Sequence, residues 1–285
     1  ALARTWAAPE MHRPGCVWTH TLLIDQGTIG RLEYRPLLSL LSRPRESLES
    51  YQYPLRITDS VNEEADTSLE SSLTPNLLAA YYALPLRPVV IISTENKQAE
   101  KAILDLMSQQ WPRLRQRFCF STAGSGIRRL AGKPFDVQVL APQHVSPVRD
   151  ELEGVRIVSN SDASDNPASW LAATVADGIT PSKELRRFLW SYGQESSEPR
   201  AIFAALVRIF QLVQIPQGVT ALPELAAIVA SQEFREMERL KVDLFGDGER
   251  IVTSPDSIML REVLRHGEGF DPDALRISPR VKTLV

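Results

Sequence analysis

The sequence has few of the residues from which metal and redox sites are built. Among 285 residues there are two cysteines, Cys16 and Cys119, and four histidines. The cysteines lie far apart and form no metal-ligand or redox spacing. We therefore expect no metal site and no cofactor. Scarce thiols fit a reducing compartment, so we predict a cytoplasmic protein.

Long apolar runs and a strong excess of one charge are also absent. No apolar run approaches the roughly 18 residues that a membrane helix needs, and no signal-peptide pattern opens the chain. We expect a soluble protein with no membrane partner. The formal net charge of -3 argues against a surface that binds nucleic acid or membrane as a whole. The net charge does not exclude a local basic patch.

The length favours two or three structural units. We predict an α+β protein with an amino-terminal β-containing domain at residues 1–74 and a central α/β unit at residues 75–160. A carboxy-terminal helical module and tail follow at residues 161–285. A cluster of Ser, Asp and Asn at residues 159–166 marks the second boundary.

Strong β formers at residues 16–24 predict a strand in the first part. Bulk on both faces favours a central position in a sheet. Cys16, Trp18 and His20 share one face, and we interpret them as a structural polar core. A thiol and an imidazole on one face could be a nucleophile and its base, but four residues of strand put Cys16 and His20 roughly 13 Å apart, too far for direct proton transfer. A half-buried His20 bonded to backbone is favoured.

The rest of the first part is predicted from composition. Leucines at residues 31–43 indicate a short helix that ends at Pro44. Residues 45–74 are polar and acidic, which indicates a surface excursion with one strand near residues 53–58.

The central unit carries the clearest pattern. A β-branched run at residues 89–92 predicts a buried strand, and residues 95–111 predict an amphipathic helix. Its expected buried positions are Ala99, Ala102, Ile103, Leu106, Met107 and Gln110, and its expected exposed positions are Lys97, Glu100, Lys101 and Asp105. Further strands are expected at residues 118–120, 135–140 and 154–158. A helix of this length allows the first two strands to be parallel. A preceding helix at residues 76–83 takes Thr74 as its cap.

Five arginines are the candidate binding residues. Arg113, Arg115 and Arg117 alternate in a connection, where they would share a side if the chain is extended, and Arg128 and Arg129 follow. Side chains at alternate positions would point to one side and receive phosphates or carboxylates. The nearby turn with Gly124 and Gly126 lacks the ending of a phosphate-binding loop, so we interpret it as a flexible turn.

The last part is predicted to be helical. Helical spacing occurs at residues 169–177, 182–192, 199–213 and 222–229, followed by an exposed helix at residues 233–241 and a short one at residues 258–266. Short helices without a constellation of acids or histidines are typical of a packing or docking module.

Three segments carry a resemblance to a known family: RPGCVWTHTLLI at residues 13–24, ALP at residues 83–85, and QWPRLRQRFCFST at residues 110–122. They resemble the amino-terminal and middle domains of the bacterial GTPase-associated proteins, which are encoded beside a predicted GTPase in conflict or defence operons. The resemblance covers about the first 160 residues. It implies a cytoplasmic, multi-domain adaptor that works with a GTPase.

On this basis we expect a non-catalytic adaptor or sensor subunit of a bacterial anti-phage immunity complex, with a GTPase or other operon-encoded proteins as partners. An enzyme is the less favoured interpretation. It would be a degenerate α/β enzyme or nucleotide-binding protein with Cys16 or His20 near Gly124 and Gly126. Nucleic-acid binding through residues 113–129 is a third hypothesis, and it requires all five arginines on one face.

Overall fold

The computed structural model describes residues 1–11, 15–29, 34–43, 73–83, 87–152, 154–158, 169–179, 181–214 and 222–245. The strand expected near residues 53–58 and the helix expected at residues 258–266 lie outside these ranges. Helices and sheets both occur, so the predicted α+β class is confirmed. Contacts divide the chain into two compact units, residues 1–69 and 70–285. The division into three domains stays a prediction.

The first unit contains a two-stranded antiparallel sheet. Strand β1 (Leu2–Ala7) pairs with β2 (Val17–Leu22), and Trp6 lies opposite Trp18. Two short helices follow, α1 (Gln26–Ile29) and α2 (Tyr34–Ser39). The strand predicted at residues 16–24 is confirmed, but the central position expected for it is wrong, because in the described residues β2 belongs to a two-stranded sheet and has one exposed face. Val17 on that face is 57% exposed.

The second unit is built on a four-stranded parallel sheet. Its strands are β3 (Val89–Ile92), β4 (Phe120–Gly124), β7 (Val137–Leu140) and β8 (Arg156–Val158), in the order β4-β7-β3-β8. All neighbouring pairs are parallel, as predicted for the first two strands. A hairpin of β5 (Arg129–Leu130) and β6 (Lys133–Pro134) lies between β4 and β7 in the chain.

Both faces of this sheet are covered. Helices α3 (Leu73–Ala83) and α4 (Asn96–Gln109) pack against each other, and both contact the sheet on one face. On the other face, Val90 and Leu140 pack against Val148 of a 3₁₀ segment at Ser146–Leu152. Burial from both sides explains why β3 is a continuous apolar run rather than an alternating one.

Helix α4 confirms the predicted buried face but corrects one position. The six expected positions are buried, and Asp105, which we expected on the exposed side, is buried as well. The Thr74 hydroxyl donates a 3.0 Å hydrogen bond to Asp105, and Lys101 forms a 2.9 Å ion pair with it. Because α3 begins at Leu73, Thr74 lies inside this helix and is not its predicted cap. A carboxylate with these partners is tolerated inside.

The connection with three arginines is also corrected. Residues Pro112–Arg117 form a short helix, α5, instead of an extended chain. Pro112 is at its start, where a fixed φ favours helix and the missing N–H is not needed. The next strand, β4, begins at Phe120 rather than at residue 118.

The helical part follows its predicted spacing with shifts at the ends. Its helices are α6 (Ser169–Ile179), α7 (Lys183–Tyr192), α8 (Phe203–Gln214), α9 (Leu222–Val229) and α10 (Glu238–Phe245). Ser182 caps α7 by accepting a hydrogen bond from the Leu185 N–H. The helix predicted at residues 233–241 was expected to be exposed, but Phe234, Met237 and Leu240 are buried.

Candidate functional site

The first unit has a half-buried face that carries Cys16, Trp18 and His20. The His20 Nδ1 accepts a 3.3 Å hydrogen bond from the Ser42 backbone N–H. This bond joins the strand to the chain that follows α2. An imidazole nitrogen held in this way serves to position backbone, because its lone pair is already in use.

Glu10 makes a second link in this unit. The Trp18 Nε1 donates a 2.6 Å hydrogen bond to one carboxylate oxygen of Glu10, and Arg43 binds the other at 2.5 Å. The backbone hydrogen bond at Glu10, and then the Trp18 bond, lower the pKa of this carboxyl. The sequence pattern gave no signal for this link, because Glu10 and Arg43 are ordinary surface charges in isolation.

Helix α5 separates Arg115 from the other two alternating arginines. Successive helical residues are about 100° apart, so Arg113 and Arg117, four residues apart, share a side from which Arg115 points away. Arg115 is buried. Its Nε donates to the Met107 carbonyl at 2.9 Å and its Nη2 to the Ser108 carbonyl at 2.7 Å. These are carbonyls of the last turn of α4, where the regular helical hydrogen bonds end; the Met107 carbonyl also accepts a 3.1 Å bond from the Gln110 N–H.

The other four arginines lie closer to solvent. Arg113 is partly exposed and donates to the Gln194 carbonyl at 3.0 Å. Arg117, Arg128 and Arg129 are exposed. Because Arg115 is internal, the five arginines do not form one exposed face. Anion or partner binding by the exposed members stays a prediction.

Arg200, which the sequence pattern did not single out, lies in a cleft of about 430 Å³ at the amino-terminal edge of the parallel sheet. The lining includes Tyr81, Pro88, Arg117, Lys133, Asp136 and Arg200. Arg200 donates to the Tyr81 carbonyl at 2.8 Å and to the Arg87 carbonyl at 2.7 Å. Its guanidinium therefore connects the chain before α8 to the last turn of α3 and to the residue two positions before β3.

Asp136 gives the cleft a partly buried acid. It accepts a 2.8 Å hydrogen bond from the Cys119 N–H and lies 3.8 Å from Arg200. Burial raises the pKa of Asp136. Burial and the neighbouring Asp136 also raise the pKa of the Cys119 thiol. A raised thiol pKa disfavours the nucleophilic thiolate form of Cys119.

A second, more open groove lies in the helical part between α7 and the start of α10. Its lining mixes cations and carboxylates around Trp190: Arg186, Arg187, Arg239, Glu195, Glu236 and Glu238. Arg186 is held by Asp177 at 3.2 Å. The alternating signs select no single class of charged ligand.

The structure also bears on metal and membrane chemistry. Within the described ranges, no group of His, Cys, Asp and Glu side chains is arranged to hold a metal ion. None of the helices in those ranges is both long and apolar enough to cross a bilayer.

Gly124 and Gly126 form a tight turn, where a Cβ on Gly124 would lie 3.1 Å from the Gly126 carbonyl oxygen. Cys16 and His20 belong to the first unit, and these glycines belong to the second.

Comparison with known proteins gives a family match for one part of the chain. Residues 1–41 match the family described as GTPase-associated protein 1, N-terminal domain type 1. The matched segment contains β1, β2, α1 and α2. No curated protein and no solved structure gives a significant match.

Proposed function

We propose that this chain is a non-catalytic adaptor or sensor subunit that works with a GTPase in a bacterial anti-phage complex. The observation that carries the proposal is the match of residues 1–41 to the GTPase-associated amino-terminal domain. The anti-phage setting, and a middle domain of the same family around residues 110–122, rest on sequence resemblance alone.

The polar groups of the described residues support an adaptor more than a catalyst. His20 and Arg115 bind backbone atoms, and Arg200 does the same. The pKa of the Cys119 thiol is raised rather than lowered. Groups engaged in this way position the chain instead of activating a substrate.

The outer face of the β1–β2 sheet is the contact surface that this proposal assigns to the GTPase. It lies within the matched residues and carries exposed Val17, Thr19 and Thr21. Leu23, which follows β2, is 87% exposed. Two threonines between the exposed apolar side chains of Val17 and Leu23 form a surface that a protein partner covers through shape complementarity rather than charge.

Affinity purification of the tagged full chain from the organism that encodes it tests the proposal. We expect a protein with a GTPase domain to co-purify in a fixed ratio. The double variant Val17→Glu with Thr21→Glu should lose that protein. The control, Ser125→Glu with Gln143→Glu, adds the same charge at exposed positions of the second unit and should keep it. A wild-type eluate without a GTPase would contradict the proposal.

A further inference from the structure

Exposed cations gather at the amino-terminal edge of the parallel sheet. Parallel strands begin at the same edge, so residues that precede them meet there. Arg87 precedes β3, Arg117 precedes β4, and Arg156 begins β8. The hairpin before β7 adds Arg128, Arg129 and Lys133. All six side chains are exposed, and together we name them the basic edge.

Contacts around Pro88 connect four members of the basic edge: Arg87, Arg117, Lys133 and Arg156. The Arg156 N–H donates to the Pro88 carbonyl at 2.9 Å, next to Arg87. Arg117, Lys133 and Pro88 line the same cleft, together with Arg200. A chain whose net charge is -3 therefore concentrates positive charge at one place. Such a concentration steers and binds an oppositely charged partner.

The hairpin presents its side chains in a defined geometry. Its two-residue turn, Ala131 and Gly132, has φ values of 49° and 80°. Positive φ at both turn residues matches the tight turns that suit the twist of a hairpin. Beside the turn, Leu130 is 61% exposed, directly after Arg129. The edge thus offers an apolar contact among its cations.

The composition of the edge favours an acidic protein segment over nucleic acid. Two carboxylates, Asp136 and Glu198, also line the cleft, which therefore suits a segment with spaced negative charges better than a nucleic acid with a phosphate at every residue. Single-stranded nucleic acid is usually held by aromatic rings on which bases stack. The Tyr81 ring in this cleft is buried, with the Arg200 guanidinium 3.7 Å from its centre.

We infer that the basic edge is a docking surface for an acidic peptide segment of a partner protein, with Leu130 receiving an apolar side chain of that segment. The inference concerns the second unit. It does not depend on residues 1–41 or on the partner being a GTPase.

Fluorescence anisotropy with the full chain tests this inference. One probe is a labelled peptide of glutamates and leucines, and the other is a labelled oligothymidylate of equal charge. The test variant is Arg117→Glu, Arg128→Glu and Lys133→Glu. The control variant, Lys183→Glu, Arg187→Glu and Arg235→Glu, makes the same charge change at exposed helical positions. Circular dichroism verifies that each variant folds, and the corresponding Gln variants replace any that do not.

We expect the wild type to bind the peptide more tightly than the oligothymidylate at the same salt concentration. The test variant should lose roughly tenfold or more in peptide affinity, since three exposed attractions become repulsions. The control should lose much less. No binding of the peptide, an equal loss in the control, or tighter binding of the oligothymidylate would overturn the inference.

Discussion

The guanidinium of Arg200 lies 3.7 Å from the centre of the Tyr81 ring, and its Nε donates to the carbonyl of the same residue at 2.8 Å. These residues are 119 positions apart in the chain. The pair joins the end of α3 to the turn before α8. The contribution of this pair to the free energy of unfolding therefore measures how strongly α3 and the chain before α8 are held together.

Arg200→Lys should destabilise the second unit by about 2 kcal/mol, because an ammonium cannot bind both carbonyls and stack on the ring at once. Urea unfolding followed by circular dichroism measures the change. Arg187→Lys, an exposed control in the same unit, should stay within about 0.5 kcal/mol. Equal midpoints for the two variants would show that the Arg200 contacts contribute nothing measurable.

Gly193→Ala should destabilise the protein by about 3 kcal/mol, because the new methyl group has no room. A Cβ at this position would lie 2.5 Å from two ring atoms of Trp111, which is fully buried. Gly126→Ala is the matched control, since its Cβ would meet nothing closer than 3.8 Å. Thermal unfolding of both variants distinguishes them, and a normal melting temperature for Gly193→Ala would contradict this packing.

Thr74 and Asp105 should be energetically coupled. Their 3.0 Å hydrogen bond is buried between α3 and α4. We expect a double-mutant cycle of Thr74→Val and Asp105→Ala to give a coupling free energy of about 1 kcal/mol. Additive losses in urea unfolding would mean that the bond does not stabilise the packing of these helices.

The protein should lose stability at alkaline pH because of buried tyrosines. Burial raises the pKa of Tyr82 well above its ordinary value, with a further contribution from Tyr81. Above a pH of about 10 the unfolded state releases this proton while the folded state keeps it. The free energy of unfolding therefore falls with rising pH, by up to about 1.4 kcal/mol per pH unit for each such tyrosine. Tyr82→Phe should make the fall less steep, and an unchanged slope would argue against the burial.

Local pattern predicted much of this fold. The 3.6-residue spacing identified α4 and gave the bounds of α9 as observed, and the β-branched run identified β3. These elements are recognisable because their own side chains decide both the element and its buried face.

The features that the sequence pattern did not predict depend on contacts between residues far apart in the chain. Asp105 looks like a surface carboxylate until Thr74 is placed beside it. Arg115 looks exposed until the end of α4 supplies two carbonyls. The basic edge appears only when the parallel order of the strands brings their starting residues together. Partners of this kind are fixed by tertiary structure, which periodicity does not encode.

The most direct test of the central proposal is the binding of the purified full chain to the purified GTPase that co-purifies with it, measured by size-exclusion chromatography with light scattering. We expect a stable complex of defined mass. We also expect Val17→Glu with Thr21→Glu to prevent the complex, whereas Ser125→Glu with Gln143→Glu should leave it intact. Two separate peaks for the wild-type proteins, at any nucleotide state of the GTPase, would contradict it.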